Sequence, residues 1–190
     1  MTGVPNPGTG QACRQGSLLA YELQTCIGTG SGGRAFLAIR KEDGERVVIK
    51  QVPFTADFDQ KAREDALHEA RTLSQFDHVN IIHYYETILE DHCLSIVMEY
   101  ASQGDLSALI TQRAAEKKPF AEDDVMFWFV QIVLALYHVH SKNILHRDLK
   151  SSNVFVSEGN VLKLGDFGIA RVLNSDTELA RTAGQACHHD

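Results

Sequence analysis

The sequence predicts an α+β chain: a small antiparallel sheet carrying one helix in its first half, followed by a mainly helical region. Three observations support this. Short strand-like runs, YELQTCI, RAFLAIR and RVVIKQV, are punctuated near the start by a glycine cluster and the turn KEDGE. A helical period between about residues 59 and 76 then sets Ala62, Ala66, Ala70 and Leu73 on one stripe, the spacing of a helix lying against a sheet. After ASQGD the character changes to longer helical segments.

Taken in order, residues 1–16, MTGVPNPGTGQACRQG, are too rich in Gly, Pro and polar residues to bury much apolar surface. A disordered leader is therefore expected up to about residue 18. The three strands follow from Tyr21, then the helix. Two further strands, IIHYYETIL and CLSIVMEY, complete the sheet. DLSALITQRAAE reads as a helix, and DDVMFWFVQIVLALYHVHS as a longer one with Asp123 or Asp124 as N-cap candidate. The longer helix is apolar nearly all round and is expected to be buried on more than one side. Residues 144–169 alternate loop and short strand, and no internal repeat is present.

With 190 residues and 44% hydrophobic content, the chain is long enough for a sizeable core. A net charge of −7 without a clustered Lys/Arg stripe argues against nucleic acid or an anionic membrane as partner. Cys13, Cys26, Cys93 and Cys187 form no C-x-x-C pair, so a reducing compartment is the simpler expectation. No secretory leader pattern and no uninterrupted apolar stretch of about 18 residues is found, which favours a cytoplasmic protein.

Gly28, Gly30 and Gly33 in GTGSGG form a G-x-G-x-x-G, whose missing Cβ atoms let backbone approach phosphates closely. A dinucleotide-binding loop would open a helix; here the loop opens the strand RAFLAIR, and a plain hairpin turn is the simpler alternative. Lys50 ends the apolar run VVI, where an ammonium needs a partner. Glu69 lies three residues from Ala66 and four from Leu73, a carboxylate on the apolar stripe, and is the expected partner. A lysine so held can take the α- and β-phosphates of a nucleotide. Downstream, HRDLK (146–150), with Asn153 five residues after Asp148, and Asp166-Phe167-Gly168 form the most specific constellation.

GTGSGG, VVIK, Glu69, HRDLKSSN and DFG occur in the order and context of a eukaryotic protein kinase, which the chain resembles. That resemblance implies a protein-kinase-like fold, with a complete N-terminal lobe over 19–100 and the first part of the helical C-terminal lobe over 101–182. It further implies ATP and Mg2+. Asp148 would orient the substrate hydroxyl, Lys150 would contact the γ-phosphate, and Asn153 and Asp166 would hold magnesium. Lys150 points to the serine/threonine branch. The stretch MEYASQGDL resembles the hinge, with Met98 as gatekeeper and Glu99 and Ala101 offering backbone groups to adenine; Ile27, Ala35, Val48 and Phe155 would sandwich the base. Ala35 and Val48 depart from the usual valine and alanine in a way that partly offsets in volume. His146 and Phe167 would stack with Leu73 between the lobes.

Within the kinases, GDFGIARVLNSDTELART, the WFVQIVLALYHVHSKNILHRDLKSSNVF run and DHVNIIHYYE resemble the NIMA-related family. This implies a serine/threonine protein kinase acting on protein substrates, with partners at microtubule- or cilium-associated structures and a cytoskeletal or flagellar location. Thr182 would be the activation-loop phosphosite, paired with Arg147. Residues 183–190, ending in CHHD, continue no family pattern, so a C-terminally truncated domain is expected, with an exposed apolar patch and weak or no phosphoryl transfer. Adjacent ligands at a chain end lack supporting contacts, so CHHD reads as a solvated tail rather than a metal site. The alternative function is a non-catalytic truncated isoform or fragment acting as a nucleotide-binding or regulatory module.

Overall fold

A computed structural model describes residues 16–30, 33–53, 60–90 and 93–173. The leader to residue 15, Thr182 and the 183–190 tail lie outside the described residues. Ser17 caps a short 3-10 turn, Leu18–Ala20, its side chain accepting from the Leu19 amide. Strands β1 (Tyr21–Gly30), β2 (Gly33–Arg40), β3 (Arg46–Pro53), β4 (Tyr84–Glu90) and β5 (Cys93–Glu99) form one antiparallel sheet in the order β1-β2-β3-β5-β4. Helix α1 (Gln60–Leu73) lies between β3 and β4 in the chain. β4 starts later than the run IIHYYETIL suggests, because residues 76–83 serve a different purpose, described below.

The sheet's two faces have different partners. Val47 and Ile49 of β3 join Ala38, Ile88 and Val97 in a core on one face, each fully or almost fully buried. Burial of each Val or Ile among them contributes about 1.5–3 kcal/mol. The alternation of strand side chains sends Val48, Lys50 and Val52 to the other face. There Val52 and Leu94 pack against Ala66 of α1, so the helix covers the face that carries Lys50.

The second half contains α2 (Leu106–Ala115) and α3 (Glu122–Ser141), then the short strands β6 (Ile144–Leu145), β7 (Val154–Ser157), β8 (Val161–Leu164) and β9 (Arg171–Val172). Pairing joins β6 to β9 and β7 to β8, both antiparallel. Asp105 caps α2, its carboxylate accepting from the Ala108 amide at 2.8 Å. The cap of α3 is Ala121, which makes no side-chain cap bond; Asp123 and Asp124 sit inside the first turn with Glu122. The sequence expectation of an aspartate cap is thus corrected, and the acidic residues instead complement the helix dipole.

Helix α3 also departs from its expected burial on several sides. Trp128, Gln131, Ala135 and Val139 form a single buried stripe, while Met126, Phe127, Phe129, Val130, Leu134 and Tyr137 are exposed. The expected apolar patch is present. By length and composition alone α3 matches a membrane-crossing helix. Its buried stripe, however, carries Gln131, which is committed to the fold: Oε1 accepts from Asn80 Nδ2 at 2.7 Å and from the Leu162 amide at 2.8 Å.

Residues 76–83 belong as much to the second half as to the first. Asn80 Nδ2 also donates to the Leu162 carbonyl at 2.9 Å, the Leu164 amide to the Asn80 carbonyl at 2.8 Å, and the Ile82 amide to the Leu164 carbonyl at 2.9 Å. Leu73, Phe76 and Ile81 accordingly bury in the same core as Val139, Val156 and Leu164.

Candidate active site

Strand register sets the upper wall of the site. Ala35 lies opposite Lys50, and Lys50 opposite Ile96; Val48 lies opposite Met98. Cross-strand partners share a face, so Ala35, Val48, Lys50 and Met98 line one surface, with Gly28 opposite Ala35 beside them. Ile27 falls at the register shift between Cys26 and Gly28 and is about half exposed.

The three glycines are unequal. Gly33 has φ +110°, and a Cβ there would sit 2.2 Å from the Gln51 carbonyl oxygen, so only glycine fits. At Gly28 a Cβ would meet only Ala35 at an ordinary 3.7 Å, and at Gly30 nothing within 4 Å. Those two glycines leave open space beside the loop.

Lys50 and Glu69 meet as expected. Lys50 Nζ lies 2.8 Å from Glu69 Oε1 and 2.7 Å from Oε2, and Glu69 is 5% exposed. The pair ties β3 to α1. A Cβ built on Gly168 would lie 3.4 Å from Asp166 Oδ1 and 3.7 Å from Glu69 Oε2, which places the Asp166-Phe167-Gly168 turn against this ion pair. Phe167 is fully buried, its ring 4.7 Å from His146 and 4.9 Å from Phe76, with Leu73 in the same cluster.

The loop after β6 is built from its own polar groups. Asp148 Oδ2 accepts from Lys150 Nζ at 2.7 Å and from Asn153 Nδ2 at 2.9 Å, and Asn153 Nδ2 also donates to the Asp148 carbonyl at 2.8 Å. The hydrogen bond from Lys150 foremost, opposed by desolvation and helped by the bond from Asn153, holds the Asp148 carboxyl below its ordinary pKa. Reciprocally, Asp148 raises the pKa of Lys150.

His146 is buried, and burial lowers its pKa despite the Gly165 carbonyl. A neutral ring explains both contacts: one nitrogen donates to the Gly165 carbonyl at 2.9 Å, and Nδ1 accepts from the Asp148 amide at 3.2 Å. The Gly165 amide donates to the Asn153 carbonyl at 2.9 Å, so this loop and the Asp166 segment are stitched together. Arg147 (φ 65°) and Asp166 (φ 57°) both adopt left-handed backbone. The Arg147 guanidinium donates through Nε to the Ile169 carbonyl at 2.6 Å.

Phe155 forms the lower wall, packed so closely on Gly165 that a Cβ there would approach its ring to 2.8 Å. Ala101 is buried at the end of the hinge stretch. The side chain of Glu99 turns away from this cleft, because its parity on β5 matches Val97 rather than Met98. Its partner there, Lys163, was not singled out in the sequence.

Among the described residues no group of three or more His, Cys, Asp or Glu side chains forms a metal cage. What is present is the exposed carboxylate of Asp166 and the oxygen of Asn153, whose amide nitrogen is spent on Asp148. A few hard oxygen ligands suit Mg2+, which keeps waters and takes its remaining ligands from phosphates. The open space at Gly28 and Gly30 suits those phosphates.

Comparison with known proteins bears on the same residues. The family model described as protein kinase domain matches residues 21–187. The chain is 47% identical over 165 residues to the probable serine/threonine-protein kinase nek3 of Dictyostelium discoideum, covering 85% of this chain and 15% of that protein. It is 47% identical over 156 residues to mouse (Mus musculus) serine/threonine-protein kinase Nek1, covering 82% and 13%. To human (Homo sapiens) Nek5 it is 44% identical over 163 residues, covering 85% and 23%. The chain thus spans less than a quarter of the length of each of these relatives.

Proposed function

Because the chain belongs to the protein kinase domain family and is similar to the Nek serine/threonine kinases, we propose that it transfers the γ-phosphoryl group of ATP to serine or threonine hydroxyls of proteins. The observation that carries this reading is the Lys50–Glu69 ion pair set against the Asp166 turn, with the Asp148–Lys150–Asn153 cluster hydrogen-bonded to the same segment through Gly165.

In this reading the adenine lies between Ile27, Ala35, Val48 and Phe155, with Met98 as gatekeeper, against the backbone of Glu99 and Ala101. Gly28, Gly30 and Gly33 shape the loop over the phosphates, and Lys50, aimed by Glu69, holds the α- and β-phosphates. Asp166 and Asn153 would hold Mg2+, which supplies charge neutralisation on the phosphates. Asp148 is ionised at neutral pH as any ordinary aspartate is, the hydrogen bond from Lys150 lowering its pKa further, and its carboxylate orients and accepts the proton of the substrate hydroxyl. The hydroxyl oxygen bonds to the γ-phosphorus as the bond from that phosphorus to the β–γ bridging oxygen breaks, releasing ADP. Lys150, beside Asp148, offers its ammonium to the transferring group. Thr182 is the proposed activating phosphosite, and Nek similarity further suggests cytoplasmic partners at microtubule-based structures, testable by co-sedimentation with microtubules.

The test is radiolabel transfer from ATP to a generic Ser/Thr protein substrate in the presence of Mg2+. Asp148→Asn keeps the shape of the side chain and is expected to lower the rate by about 10²–10⁴-fold, the usual contribution of a positioned acid or base. Mg-ATP should still raise the melting temperature of that variant. Transfer unchanged in Asp148→Asn would overturn the reading, and nucleotide stabilisation without transfer in the wild type would leave a nucleotide-binding module.

A further inference from the structure

The hinge stretch is bonded to the strand that delivers Asp166 by a contact behind the cleft. Lys163 Nζ lies 2.8 Å from Glu99 Oε1 and donates to the Val79 carbonyl at 3.0 Å. Glu99 Oε2 accepts from the His83 amide at 3.1 Å, and the Glu99 amide donates to the His83 carbonyl at 2.9 Å. The two side chains are only 11% (Lys163) and 21% (Glu99) exposed, well below an ordinary surface pair. Both side chains line an open cavity of about 600 Å3 together with Val79, Tyr100 and Glu158, and neither Lys50 nor Met98 contributes to it.

We propose that Glu99 and Lys163 are positioning residues, an ionic latch that fixes the adenine end of the nucleotide cleft relative to its metal end. Glu99 directly follows Met98, so its backbone belongs to the hinge. Lys163 lies three residues before Asp166 on β8. The contact therefore joins the two walls that a bound nucleotide must span, and does so through a partly desolvated ion pair whose remaining polar partners are backbone groups of residues 79 and 83. A cleft held at the right width binds its ligand without first having to be ordered, so losing the latch should speed nucleotide release more than it slows the chemical step. Neither side chain touches the reacting atoms.

This inference rests on the nucleotide-binding reading above, and the experiment separates the two. Dissociation of a fluorescent ATP analogue, mant-ATP with Mg2+, is followed by stopped flow in the full chain for the wild type, Lys163→Met, Glu99→Gln and the double variant, alongside KM for ATP and kcat. Each single variant is expected to release nucleotide about three- to tenfold faster and to raise KM in proportion, with kcat moving less, the scale set by loss of a partly buried charged hydrogen bond. The double variant should be no worse than either single one, because the pair acts as a unit. Lys163→Arg should retain wild-type release. Equal release rates in wild type and both single variants overturn the latch while leaving nucleotide binding intact, and additive effects in the double variant overturn it too. A wild type that binds no mant-ATP overturns the functional reading and the latch together.

Discussion

Gly33 is the residue at which the glycine-rich loop is least negotiable. Its φ of +110° and the 2.2 Å approach that a Cβ would make to the Gln51 carbonyl mean that Gly33→Ala must move backbone, not merely a side chain. The expected loss is about 1–3 kcal/mol of stability, read as a lowered melting temperature, with weakened ATP binding. Gly30→Ala should leave stability within about 0.5 kcal/mol, since nothing lies within 4 Å of the added atom, yet should still weaken ATP binding by filling the open space. Equal stability losses at the two positions would contradict this division. The sequence displays the three glycines as equivalent members of one motif; what separates them is the path of β3 past Gly33, a tertiary fact. Lys50 and Glu69, by contrast, were legible because each broke an apolar pattern, and a buried charge demands a partner.

Among the elements, α2 depends on its cap. Asp105 supplies the 2.8 Å bond to the Ala108 amide and also sits in a bridge with Phe155, the lower wall of the cleft. Asp105→Ala is expected to cost about 1 kcal/mol, measurable in chemical unfolding, and a change below the error of such a curve would show that the cap is dispensable. Strands and helices were largely readable from period and punctuation, because each has one face in the core. The start of α3 was not. Asp123 and Asp124 both qualify as a cap by residue type, and the extended backbone of Ala121 decides the matter. The same limit hid the Glu99–Lys163 contact: Lys163 occupies the partly exposed position of an alternating strand, and its partner is far away in sequence, so nothing local marks it.

At the scale of the whole molecule, titration should shape stability on both flanks. Burial is the leading cause that lowers the pKa of His78, His140 and His146 below the usual histidine value. The unfolded chain therefore binds more protons than the native one below about pH 6.5, so stability falls as pH drops through that value and is recovered above it. On the alkaline side, burial first, then Glu86 for Tyr21 and Glu45 for Tyr85, raises both phenol pKa values. Their contribution is complete below about pH 10 and is lost as pH rises beyond it. Melting temperatures scanned from pH 5 to 11 should form a plateau between those limits; a melting temperature higher at pH 5.5 than at pH 7.5 would contradict the histidine assignment. A further consequence follows from the core that Leu73, Phe76 and Ile81 share with residues around 139–164. During synthesis those three side chains leave the ribosome first and, at roughly 5–20 residues per second, wait on the order of ten seconds for the strands that bury them. The small sheet can pair early, but the end of α1 stays unsatisfied through that interval. Newborn chains are thus open to capture by chaperones at this seam, until the arrival of β8 closes it.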